Sequence, residues 1–108
     1  MVPPFMSYFG VLQGGDGGHA IIREAINQIS LYRDNLQDGN TGLWRHVVQG
    51  PWQDEGLWAT GNGWAAAGML RTYQAIQNSD AADEFRLEQD NLIGWISEIV
   101  NATWNYQV

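Results

Sequence analysis

The chain has 108 residues, with 12 Asp or Glu against 5 Arg, no Lys and no Cys, and a formal charge of -7 with both histidines neutral. A length of this order allows one small domain, and 44% hydrophobic residues including 6 Trp supply the apolar area for a core, which excludes disorder. Five scattered arginines form no patch able to neutralise phosphates or anionic lipid, so nucleic acid and membrane are excluded as main partners; without cysteine there is no disulfide, thiolate nucleophile or Cys-based metal site.

No apolar stretch approaches the roughly 20 residues that cross a bilayer. The first residues, Met1-Val2-Pro3-Pro4-Phe5-Met6, are apolar but carry no basic leader, and no small-residue cleavage site follows. They read as the inside of a folded element. A first helix is predicted from the prolines onward, with Phe5, Met6, Phe9 and Leu12 at helical spacing, ended by Gly14-Gly15-Asp16-Gly17-Gly18. A second is predicted from about His19 to Asn35, its stripe of Ile22, Ala25, Ile26, Ile29, Arg33 and Leu36 requiring a partner.

From Gln37 to Thr60 the helical period disappears and Gly, Trp and charged residues become dense, with strand-like fragments such as Leu43 to Val48. A third helix is predicted over about Asn62 to Asn78. It has two lines of residues, one through Trp64, Ala67, Gly68, Arg71 and Ala75 and another through Met69, Tyr73 and Ile76. The fourth is placed at about Ala81 to Ala102, capped by Asp80 or Ser79, with Phe85, Glu88, Leu92, Trp95, Ile96, Ile99 and Thr103 in register.

The loop before the third helix concentrates chemistry. Trp44, Trp52, Trp58 and Trp64 lie in the stretch from Gln37 to Trp64, beside Asp38, Arg45, His46, Asp54 and Glu55. Sugars are bound by flat aromatic faces next to hydrogen-bonding groups, and loops on a rigid scaffold are where sites form. The alternative is a satellite apolar cluster that pins the loop to the helices. Asp54 and Glu55 suggest a glycosidase carboxylate pair, which needs groups on either side of the scissile bond and one raised pKa. Acids in a solvated turn near a helix start are the competing reading. His46 is an acid, a base or a hydroxyl donor, or a packing residue.

Other motifs fail on spacing. The segment Asp34 to Arg45 has Leu36 at the third position and Arg45 at the twelfth, where a calcium loop needs oxygen ligands. Gly14 to Gly18 lacks a phosphate-loop Lys, the two histidines have no partner at metal spacing, and no Gly-x-Ser-x-Gly elbow is present. No metal or other cofactor is expected.

Three blocks carry a resemblance: Met1-Val2-Pro3-Pro4-Phe5 with Tyr8 and Gly10; Thr41-Gly42-Leu43-Trp44-Arg45-His46; and Trp58-Ala59-Thr60-Gly61-Asn62-Gly63-Trp64-Ala65-Ala66-Ala67-Gly68-Met69. In order and spacing the chain resembles the six-hairpin glycosidases, above all the unsaturated rhamnogalacturonyl and glucuronyl hydrolases of glycoside hydrolase families 88 and 105, in particular their fungal members. The resemblance implies an (α/α)6 barrel and an oligosaccharide substrate ending in an unsaturated uronic acid. It also implies a metal-free reaction that begins by hydrating the double bond. The family's acid/base aspartate falls just before the segment matching Met1 to Phe5. His46 matches the histidine facing the sugar pocket, and Trp58 the pocket tryptophan. Thr60 stands where many members carry an arginine for the uronic carboxylate, an exchange that removes bidentate recognition. Asn62 and Trp64 match the start of an inner helix.

The expected architecture is therefore all-α: residues 1–108 form a single domain of two antiparallel hairpins, about a third of an (α/α)6 toroid. The substrate-binding candidates are Trp44, His46, Trp58, Thr60, Asn62 and Trp64, with no catalytic residue assigned. The expected partner is an oligosaccharide, with little turnover by this chain because the acid lies outside it; the alternative is a non-catalytic sugar-binding or self-assembling module. Exposed barrel flanks imply a homo-oligomer or association with the remaining barrel. The parent protein is expected outside the cell, in keeping with the resemblance and with the acceptor sequence Asn101-Ala102-Thr103.

Overall fold

In a computed structural model, residues 1–106 are described. Residues 107 and 108 of the expected domain lie outside the described part. Four helices follow one another: α1 (Val2–Gln13), α2 (Gly15–Leu36), α3 (Ala59–Gln77) and α4 (Arg86–Asn105). The only strand-like pairings among the described residues are isolated antiparallel bridges joining Gln37 to Trp44 and Val47 to Asp54. The fold is all-α, as expected from the helical periods. None of the described helices is long and apolar enough to cross a membrane.

Helices α1 and α2 form the first hairpin. Gly14, at φ 68°, and Gly15, at φ 62°, make the reversal in left-handed backbone that other residues adopt at a cost. The expected five-residue breaker is thus much shorter: Gly15 to Gly18 already belong to α2. At Gly18 the close approach of α1 leaves no room for a side chain, which places a glycine inside the helix. A Cβ on Gly18 would stand 2.3 Å from the Gly10 carbonyl oxygen, and one on Gly10 would stand 2.7 Å from that of Gly18.

The close crossing decides which side of α1 is buried. Pro3, Ser7 and Gly10, at helical spacing, are its buried residues. The bulky side chains point away, leaving Val2, Phe5, Phe9 and Leu12 exposed, Phe5 and Leu12 each at 68%. The helix therefore buries its small residues and displays its large apolar ones, the reverse of an ordinary amphipathic surface helix.

The second hairpin, α3 and α4, stands beside the first. Pro4 of α1 approaches Gly68 of α3, and at the far end Gly10 and Gly14 share a hollow with Asn78 and Ser79. Helices α1 and α3 consequently run side by side in the same direction, each followed by a returning partner. The α4 start differs from expectation. Ser79 Oγ accepts the Ala81 N–H at 3.1 Å, so it caps a turn over residues 80–85 rather than the helix, which begins at Arg86.

Ile22, Ile26 and Ile29 of α2 meet Met69 and Ile76 of α3, Leu92 and Ile99 of α4, and Phe85 just before α4. Of the two lines expected on α3, Met69 and Ile76 enter the core, whereas Trp64 and Arg71 are exposed. Two charged clusters tie α2 to the second hairpin. Arg33 Nη2 donates to both Glu98 oxygens at 2.9 Å, Gln37 Nε2 adds a 2.8 Å bond to the same carboxylate, and the guanidinium lies 5.6 Å from the Trp95 ring. Nearer the hairpin turn, Glu84 pairs with His19 and with Arg23.

Two glycine substitutions separate crossing from propensity. Gly18→Ala is expected to destabilise by about 1–3 kcal/mol, because overpacking against backbone outweighs the ~0.5–1 kcal/mol helix gain. Gly94→Ala in α4, with open space around its Cβ position, is expected to stabilise by about 0.5–1 kcal/mol. Urea midpoints measure both; equal stabilisation by the two would contradict the close crossing.

Candidate functional site

Between α2 and α3 the loop folds as two successive fingers. In the first, Asp38 N–H donates to the Leu43 carbonyl and Arg45 N–H to the Leu36 carbonyl, each at 2.8 Å. Gly42 at φ 81° packs this finger on α4, where a Cβ would lie 3.6 Å from Ala102. In the second, Val47 and Asp54 exchange backbone bonds of 2.8 and 3.0 Å across the Gly50-Pro51 turn, and His46 N–H donates to the Gly56 carbonyl at 3.0 Å. The expected strand over Leu43 to Val48 is thus divided between two short pairings. A longer ladder is prevented because Trp44 and His46 bond to different partners.

Asn62, at 3% exposure, is the clamp. Its Oδ1 accepts the Trp44 N–H at 2.7 Å, while its Nδ2 donates to the Trp44 carbonyl at 3.0 Å and to the Trp58 carbonyl at 3.1 Å. One carboxamide in the first turn of α3 thereby fixes both limbs of the loop. Trp44 is buried against the core, at 8% exposure, and its Nε1 has no hydrogen-bond partner among the described residues.

Beyond this clamp the second finger carries His46. Its Nδ1 lies 3.0 Å from Asp54 Oδ2, and the other Asp54 oxygen accepts the Gly56 N–H at 2.9 Å. The bond from His46, followed by that from Gly56, holds the Asp54 carboxyl below its ordinary value. Asp54 is therefore ionised at neutral and mildly acidic pH, the opposite of what a glycosidase general acid requires. Its contact with Nδ1 favours the tautomer that leaves Nε2 as an acceptor when the ring is neutral.

The Trp58 ring lies 5.1 Å from the His46 ring at a tilt of 57°, and the Trp52 ring meets the imidazole edge-on at 6.5 Å. Trp52 and Trp58 are 62% and 52% exposed. An open hollow of about 340 Å³ is lined by His46, Asp54, Gly56, Leu57 and Trp58. The six candidate residues thus fall into separate places. His46 and Trp58 share this hollow. Trp44 and Trp64 line a second one, of about 220 Å³, with Met1 to Pro4. Thr60 is exposed in the first turn of α3, and Asn62 lies beneath the loop.

Asp54 was legible only as half of a pair with Glu55; its actual partner is eight residues upstream. The signal for that partner is the Gly50-Pro51 turn, which folds Asp54 back alongside Val47. Among the described residues no group of three or more His, Asp or Glu is placed to hold a metal ion.

Two substitutions test this construction. Asn62→Ala leaves buried backbone groups of Trp44 unpaired and is expected to cost about 2–4 kcal/mol, read from the denaturation midpoint. A change below about 0.5 kcal/mol is what a surface position gives and would remove the clamp. His46→Ala is expected to raise the Asp54 pKa toward its ordinary value, followed by carboxylate NMR titration. The stabilisation from a depressed carboxyl is present above its unfolded-state pKa and is lost as pH falls through the native one. In the variant this acid-side loss of stability should be smaller; an unchanged Asp54 titration would show that the pair does not form.

The family model for Glycosyl Hydrolase Family 88 covers residues 1–107. No curated protein and no solved structure matches the chain. With the match running through α1, the loop and all three remaining helices, the chain belongs to glycosyl hydrolase family 88.

Proposed function

We propose that the chain binds the uronic-acid end of a plant cell wall oligosaccharide on the face built by His46, Trp58 and Trp52, and that residues 1–108 alone turn it over little or not at all. The observation that supports binding is the exposed pair of indoles beside a histidine whose orientation is set by Asp54. Indole faces stack on the C–H faces of a sugar while Nε2 of His46 exchanges a hydrogen bond with a hydroxyl. Weak catalysis is supported by the ionised state of Asp54, the acid nearest this face, which withholds the proton that hydration of a double bond needs. Thr60 offers no cation to a uronic carboxylate, so affinity rests on stacking and neutral hydrogen bonds.

In the same reading the two hairpins are about a third of a toroid, and the displayed apolar side of α1 is covered in the working assembly by a second copy or by the remaining barrel. The exposed Phe5, Phe9 and Leu12 support it. A secreted parent protein also belongs to this proposal, supported by the acidic, lysine-free composition and by Asn101 at an exposed position of α4.

The deciding experiment follows tryptophan emission while an unsaturated glucuronyl or rhamnogalacturonyl disaccharide is added, together with the double-bond absorbance. A shift in emission that Trp58→Ala abolishes, with the absorbance constant, is the expected result. Rapid loss of absorbance would overturn the non-catalytic part. An emission unmoved by any of these sugars would overturn the binding part.

A further inference from the structure

On the other side of His46 lies a groove that the reading above does not use. It runs between the outward stripe of α2 and the second finger of the loop, with a volume of about 390 Å³, in the range of sites for small ligands. Gln28, Leu31, Tyr32 and Asn35, at i, i+3, i+4 and i+7, form the helical wall. Val47, Val48 and Gln49 form the other, and His46 lines both this groove and the Trp58 hollow.

The lining is specific in its chemistry. It contains three carboxamides, a half-exposed phenol ring, the His46 imidazole and aliphatic side chains, with no Asp, Glu or Arg. Each carboxamide nitrogen makes one internal bond and keeps a second N–H: Gln28 Nε2 donates to Glu24, Asn35 Nδ2 to the Leu31 carbonyl, and Gln49 Nε2 to Asn35 Oδ1 at 2.8 Å. No hydrogen bond among the described residues engages the side-chain oxygens of Gln28 and Gln49. Two acceptors therefore remain beside the Tyr32 ring.

Gln49 is also the one non-glycine residue among those described with a positive φ, 60°. Side chains other than Asn, Asp and Gly seldom occupy that conformation, and where they do the surroundings hold them. Here the bond to Asn35 ties the strained residue to α2 across the groove that both line. Strain, uncommitted acceptors and an aromatic wall coincide at one place.

We propose that this groove is a second saccharide site, for an uncharged sugar unit. Hydroxyls donate to the Gln28 and Gln49 oxygens, and the sugar's C–H face lies on Tyr32. An uncharged unit suits this groove because its lining, the His46 ring apart, is made of neutral carboxamide, phenol and aliphatic groups, and Glu24 stands beside Gln28 in a chain of charge -7. The inference does not depend on the Trp58 face binding a sugar.

The test is NMR titration of the whole chain with a neutral xylo-oligosaccharide or galacto-oligosaccharide, and separately with a glucuronic acid disaccharide, observing the side-chain amides of Gln28, Asn35 and Gln49 and the Tyr32 ring. The neutral sugar is expected to shift these signals. Tyr32→Ala should weaken binding about tenfold and Gln49→Gly about threefold to tenfold, while Trp58→Ala leaves it unchanged. Glycine accepts the positive φ, so Gln49→Gly retains the loop backbone and reads the lost carboxamide. Absent shifts at these groups, tighter binding of the acidic sugar, full binding by both groove variants, or loss of binding in Trp58→Ala would each overturn a separate neutral-sugar site. The Trp58 fluorescence response is independent of all four outcomes.

Discussion

The three hydrogen bonds of Asn62 are the constraint on which the loop depends. A segment of more than twenty residues between α2 and α3 has no ladder or helix of its own, and without a tie it would sample many conformations. A single carboxamide satisfies it at Trp44 and again at Trp58, eighteen and four residues away. Because the polar groups concerned are buried, leaving them unpaired is costly, and the clamp has direction as well as strength. His46 stands two residues beyond the first tied point, and Trp58 is the second. Their mutual geometry thus depends on a residue whose hydrogen bonds go to backbone groups of the loop.

The hairpins obey a different constraint, the close approach of α1 and α2. Gly10 and Gly18 bring two backbones within the space one side chain would fill. With that side of α1 given over to small residues, its apolar mass faces outward, and the helix is completed only by a further surface. The same logic applies less strongly to α4, where Val100 and Trp104 are exposed one turn apart while Leu92 and Ile99 are buried. Core and flank in this chain are therefore set by where the backbones meet rather than by hydrophobicity alone. The ion-paired network of Arg33, Glu98 and Gln37 then adds a polar tie between α2 and α4 beside the shared core.

Much of this was legible in the sequence, for stated physical reasons. The stripe of Ile22, Ala25, Ile26 and Ile29 repeats with the helical period, and all four are buried. The period on α4 placed Phe85, Leu92 and Ile99 correctly, though Gln89 and Ala102 rather than Glu88 and Thr103 occupy the buried line. Glycine propensity misled at Gly15 to Gly18, because tertiary crowding there rewards the absence of a Cβ in a helix. Burial on α1 was not legible either: periodicity reports a stripe but not which stripe is buried. In the loop, the tryptophan cluster proved to contain both kinds of residue that its composition allowed. Trp44 packs in the core, and Trp52 and Trp58 are exposed beside His46. No local spacing distinguishes them; the distinction comes from Asn62, eighteen residues after Trp44.

Amide hydrogen exchange of the intact protein tests the clamp most directly. The Trp44 N–H, donated to Asn62 in a buried position, should exchange as slowly as the interior amides of α2 around Ile26, while Gln49 and Trp52 on the exposed turn exchange rapidly. Exchange of Trp44 as fast as that of Gln49 would contradict the account, for it would mean that the loop is not held to α3 and that His46 and Trp58 are not fixed in relation to each other.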